Sequence, residues 1–125
     1  MAKRFTDSNK WRKPWFRKLS IKAKLLWIYL CDECDHSGVI DLDFELISFQ
    51  VGFRIEESDL FEYFGDKVEK IGTSKFFLLP FYNFQYASAK DTWTAKVKAR
   101  DAIAALGYEI KNDEVLSKNK ISDVS

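Results

Sequence analysis

The stretch from Ser20 to Cys34, SIKAKLLWIYLCDEC, most constrains the fold. Ser20 is a good N-cap for a helix over about 20–34. Apolar residues at 21, 25, 26, 28, 29 and 30 cover more than half of its circumference. A helix that apolar is expected at the centre of the molecule, with the rest of the chain packed around it. The longest unbroken apolar run, Leu25 to Cys31, is far too short to cross a bilayer. No apolar segment of the kind found in a signal peptide follows the charged N-terminus. A cytoplasmic protein with no membrane partner is therefore expected.

The flanking segments build the rest. Asp35-His36-Ser37-Gly38 stops the first helix, and Val39-Ile40 reads as a short strand. Asp41 or Asp43 caps a second helix to about Val51, closed by Gly52. Glu56-Glu57-Ser58-Asp59 opens a third helix to about Phe64, its first turn acidic as the macrodipole favours. Lys67–Ile71 and Lys75–Leu79 read as a hairpin around Gly72-Thr73-Ser74. Phe81 to Tyr86 is ambiguous between a strand and irregular packing. A final alanine-rich helix runs over about 91–106, with Trp93, Val97, Ala99 and Ile103 among its apolar residues, and such a helix suits homodimerisation. From Glu109 a flexible polar tail is expected. The fold class is thus α+β: a winged helix-turn-helix of three helices plus a β-hairpin wing, with an added C-terminal helix. It forms one domain over 1–108, followed by the tail at 109–125.

Charge is segregated along the chain. Residues 1–24 carry a net +8, residues 25–66 a net −10, residues 67–108 a net +4 and residues 109–125 a net −1. A near-neutral total therefore hides two opposed fields, and the basic lead suits a polyanion. Arg12, Lys13, Arg17, Lys18, Lys22 and Lys24 are the candidate phosphate contacts. Lys70 and Lys75 flank the wing tip, and Lys96 and Arg100 share a face of the last helix at i, i+4. Trp11, Trp15 and Phe16 are either base-stacking platforms or, as favoured here, anchors pinning an arm to the core. Acids dominate the third helix, which would be the base-reading helix of such a fold. Glu56, Glu57, Asp59 and Glu62 repel phosphate, so they point either to DNA held elsewhere or to a protein-binding face.

Other chemistries find little support. Cys31, Cys34 and His36 make a C-x-x-C-D-H string with no second knuckle to complete a zinc site. Asp41, Asp43 and Glu45 alternate, but helix capping accounts for at least one of them. No phosphate-binding glycine loop or nucleophile elbow is present. No enzyme activity, cofactor or metal is expected.

Three blocks, KRFTDSNKWRKPWFRKL, LLWIYLCDECDHSGVIDLDFEL and FFLLPFYNFQY, occur in that order. Together they resemble the N-terminal domain of phage replication-organiser or replication-initiation proteins, over about residues 3–86. The resemblance implies a winged-helix domain acting in phage DNA replication, with DNA and a replication or host protein as partners.

Overall fold

A computed structural model describes residues 8–117. The fold is α+β, with six helices and five short strands among the described residues. A 3-10 turn at Ser8–Arg12 leads into α1 (Pro14–Arg17) and α2 (Ile21–Glu33). Then come β1 (Val39–Asp41), α3 (Phe44–Val51), α4 (Glu57–Phe64), β2 (Val68–Lys70) and β3 (Lys75–Leu78). The chain continues through α5 (Phe81–Tyr86), α6 (Thr94–Ala105), β4 (Glu109–Lys111) and β5 (Glu114–Leu116). Residues 3–7 of the basic lead and 118–125 of the expected tail lie outside the described residues.

Local chemistry sets the helix ends. Ser20 Oγ accepts from the Ala23 amide at 3.2 Å and starts α2. Asp43 Oδ1 accepts from the amides of Glu45 (3.1 Å) and Leu46 (3.2 Å) and starts α3. Gly52 ends α3 at φ +90°, a conformation that disfavours a side chain. At α4, Asp59 reaches back to accept from the Glu56 amide at 2.9 Å.

The turn between α2 and β1 is organised by Asp35. Its Oδ1 accepts from the amides of Ser37, Gly38 and Val39 and from the Ser37 hydroxyl. Burial raises the Asp35 carboxyl pKa, but these bonds outweigh it and hold the pKa below its ordinary value. The turn then passes close to β3: a Cβ on Gly38 would meet the Leu78 carbonyl oxygen at 2.9 Å and Phe81 Cβ at 3.2 Å.

The first three strands form an antiparallel sheet in the order β1-β3-β2, with Ile40 opposite Phe76 and Lys70 also opposite Phe76. Its central strand supplies the fully buried Phe76, Phe77 and Leu78. Helix α2 contributes Ala23, Leu26, Trp27 and Leu30 to the same core. These residues recur at i, i+3, i+4 and i+7, which is one helical face. Trp27 packs edge-on against Trp15 with ring centroids 5.2 Å apart, and it also touches Phe64 and Phe84.

Four expectations change. The central helix is buried along one face only: Ile21 is 86% exposed and Leu25 also lies outward. Phe81–Tyr86 is a helix, α5, with Phe81, Tyr82, Phe84 and Tyr86 buried. The last helix does not bury Trp93, Val97 or Ala104; it turns Lys96, Ala99 and Ile103 inward. Finally, residues 109–116 are not an unstructured polar tail. They form a hairpin, Ile110 opposite Val115, turned by Asn112 (φ +53°) and Asp113 (φ +60°). Two consecutive left-handed residues give a turn whose twist suits a tight hairpin. Tyr108 and Ser117 bracket the hairpin and are both buried, and Tyr108 stacks on Phe77 with centroids 4.5 Å apart.

Candidate nucleic-acid interface

The basic lead folds into a short arm laid on the core. Pro14 opens α1, and Phe16 at its centre is fully buried. Trp15 is half-buried between Trp27 and Phe84. These two rings are the anchors that the sequence suggested. Trp11 differs: it packs edge-on against Phe16 at 5.1 Å yet remains 51% exposed, which leaves much of its indole open.

The arm places its cations outward. Arg17 and Lys18 are exposed, and exposed Arg12 donates only to Asn9 Oδ1 at 3.2 Å among the described contacts. Lys22 is exposed, with its ammonium 5.3 Å from the Phe53 ring centroid; Lys24 is half-buried. Lys13 is half-buried and donates to Asn83 Oδ1 at 2.5 Å. Among the described residues, no ion pair joins these six cations to a carboxylate of residues 25–66. The acids of that segment find partners elsewhere or remain in solvent.

One cation approaches this group from a distance, although Asp66 lies 4.0 Å from it. Lys67 lies over the Trp15 ring at 5.1 Å and lines the same cavity, of about 260 Å³, as Lys13. The sequence reading placed Lys67 only at the start of a strand. No local pattern announces it, because the contact is made by tertiary packing of the arm.

The β2–β3 hairpin, the expected wing, is less available. Lys70 is paired with Glu57 at 3.0 Å and lies 5.9 Å from the Phe76 ring centroid, while Lys75 is exposed. The last helix departs most from expectation. Lys96 is only 1% exposed, so it is not on a shared basic face with Arg100. Its ammonium contacts Asp91 (2.9 Å), Asp113 (3.3 Å) and the Ala89 carbonyl oxygen (3.1 Å). Burial opposes that charge, but hydrogen bonds to Asp91 and Asp113 outweigh it and raise the Lys96 pKa. Arg100 is half-buried, 3.5 Å from both the Tyr82 hydroxyl and Asp91. Lys96 is therefore removed as a phosphate contact by burial, and Arg100 is partly neutralised.

The acidic candidates are also partly committed. Glu56 pairs with Arg54 at 2.7 Å, Glu57 with Lys70, and Asp59 caps its own helix; Glu62 stays exposed. Cys31 and Cys34 form no disulfide, and Cys34 Sγ lies 3.4 Å from the Cys31 carbonyl oxygen. His36 contributes its carbonyl oxygen, which accepts from the Tyr86 hydroxyl at 2.9 Å. Among the described residues, no group of three or more His, Cys, Asp or Glu side chains is arranged to hold a metal ion. No helix among them is long and apolar enough to cross a membrane.

Comparisons with protein-family models, with curated proteins and with solved structures returned no match.

Proposed function

We propose that the protein is a winged-helix DNA-binding protein of the phage replication type, gripping phosphates through its N-terminal arm. The order helix, strand, helix, helix, hairpin, with a β1-β3-β2 sheet, supports the winged-helix reading. The observation that carries the function is the un-neutralised arm: Arg12, Arg17 and Lys18 face solvent beside half-buried Lys13, and among the described residues mid-chain acids do not pair with them. Trp11 adds an open aromatic face on which an unpaired base would stack. Helix α4 does not enter the groove, because Glu57, Asp59 and Glu62 oppose phosphate. Recognition is thus mainly of the backbone and carries little sequence information.

Filter binding of duplex and single-stranded DNA between about 50 and 300 mM salt tests this reading. Affinity should fall steeply with salt and vary little with sequence. Absence of binding at the lowest salt sinks it. The alternative, in which Glu56, Glu57, Asp59 and Glu62 bind or inhibit another protein, loses ground because the first three already have partners within the chain. Dimerisation through the last helix likewise has less surface to use, since Ala99 and Ile103 are buried in the chain's own core.

A further inference from the structure

Helices α2 and α3 lie side by side and leave an apolar face in solvent. Lys22 of α2 meets the Phe53 ring just past the end of α3, at 5.3 Å. Two turns along α2, the Tyr29 hydroxyl is hydrogen-bonded to Gln50 Oε1 of α3. Leu25 falls between these two ties on the α2 surface and is about half exposed. Leu46 and Phe49 stand on the outer surface of α3, Leu46 half exposed and Phe49 85% exposed. Ile21 extends the apolar area at the start of α2. A phenylalanine and an isoleucine so open to water, with two half-exposed leucines on the same helix pair, mark an interaction surface rather than scattered surface apolarity.

Lys22 stands at one end of this face, and the charge at the other end is negative. Beyond Tyr29 it opens into a cavity of about 410 Å³, lined among others by Tyr29, Glu33, Asp41, Asp43, Leu46 and Gln50. Asp41 accepts from the Ser74 hydroxyl and Asp43 caps α3, but among the described residues no ion pair neutralises Glu33, Asp41 or Asp43. Asp32 and Glu45 are exposed on the same two helices. An occupant must therefore be apolar along one side and cationic at the end that reaches the cavity.

We propose that the α2–α3 face is the docking site for a basic amphipathic helix of a partner protein. The partner's apolar residues, at i, i+3/i+4 and i+7, lie on Leu25, Leu46 and Phe49. An Arg or Lys from its next turn runs its stem along Tyr29 and Leu46 and brings its charge to Glu33, Asp41 and Asp43. DNA and acidic membranes are repelled by those carboxylates. A second copy docked through the same face is a poor fit, because it would add its own carboxylates to the interface and offer mainly Lys22 against them. The face shares only Lys22 with the candidate phosphate contacts and rests on Leu25, Leu46, Phe49 and Glu33, so the proposal does not depend on the DNA-binding reading.

The test uses the full chain, labelled with 15N, and a synthetic helix-forming peptide of about 18 residues with leucines on one face and arginines on the other. The result expected is saturable shifts centred on Leu25, Glu33, Leu46 and Phe49. Leu46→Ser and Phe49→Ser, both at exposed positions, should each weaken binding about tenfold, with unchanged melting temperature. Glu33→Lys should weaken it less, and a peptide with glutamates in place of arginines should not bind. DNA binding by Phe49→Ser should stay unchanged, which separates failure here from failure of the arm. The proposal is overturned by absence of saturable shifts, by shifts centred on α4, or by peptide affinity that ignores Phe49→Ser. It is equally overturned if the chain alone dimerises and Phe49→Ser abolishes the dimer, since the occupant is then a second copy.

Discussion

The arm and the last helix carry the same kinds of cation and use them in opposite ways. In the arm, Arg12, Arg17 and Lys18 stand in solvent around a buried Phe16. In α6, Lys96 is itself buried and ties together Asp91, the Ala89 carbonyl and the Asp113 turn of the C-terminal hairpin. The difference lies in what surrounds each charge. Aromatic anchors hold the arm and, of its cations, Lys13 alone is tied to Asn83, whereas α6 buries a lysine beside Ala99 and Ile103. A count of basic residues therefore overstates the available positive surface, and the carboxylates nearby decide which part of it is real.

Breaking the arm should give the largest effect. Reversing Arg12, Lys13, Arg17 and Lys18 to Glu should lower DNA affinity on the order of a thousandfold at moderate salt, and flatten the salt dependence by about three to four contacts. Arg100→Gln in the same assay should change affinity less than about twofold, because Arg100 is already engaged with Asp91 and Tyr82. Equal losses from both regions would erase the contrast.

Lys96→Met is the converse variant. It should cost about 1–2 kcal/mol in urea unfolding, since removing the buried ammonium leaves partly exposed Asp113 and the Ala89 carbonyl without their donor. Its affinity for DNA should be unchanged.

Asp35→Asn sharpens the comparison with a structural carboxylate. It should cost about 1–2 kcal/mol at neutral pH, by weakening the acceptor of four hydrogen bonds. Because the folded-state pKa of Asp35 lies below the unfolded value, the wild type has its full advantage above the ordinary aspartate pKa. That advantage disappears as pH falls through the folded value. Melting curves of both proteins should draw together as pH falls below the ordinary aspartate range. The smallest effect is expected from Lys70→Ala, within about 0.5 kcal/mol, since its pair with Glu57 is solvent-screened.

What the sequence made legible was local. Ser20, Asp43 and Gly52 mark helix ends because capping depends on a few neighbouring atoms. The order of elements from α2 to Leu78 was readable for the same reason, whereas the short helix α1 was not foreseen. The sequence did not reveal which apolar residues would be surplus. Ile21 and Leu25 belong to the same run as Leu26 and Trp27, and only the packing of α3 and the sheet decides which side is covered. Burial of Lys96 was hidden likewise, because Asp91 and Asp113 converge on it from both ends of α6. The C-terminal hairpin did carry a signal, EIKNDEVL, with Asn-Asp between alternating strands. Its polarity masked the alternation. At the candidate interface, the arm cations were legible in composition, whereas Lys67 and the openness of Trp11 required the tertiary structure.

Asn83 accepts from Lys13 and donates to the Asp113 carbonyl at 3.1 Å, so one side chain bridges the beginning and the end of the described fold. Lys13 and Ser117 line the same cavity, although more than a hundred residues separate them in the chain. Connectivity is therefore negotiable where the architecture is not. A circular permutant that links these two ends and opens at Gly72–Thr73 would preserve the aromatic core while moving the cut to the exposed tip between β2 and β3.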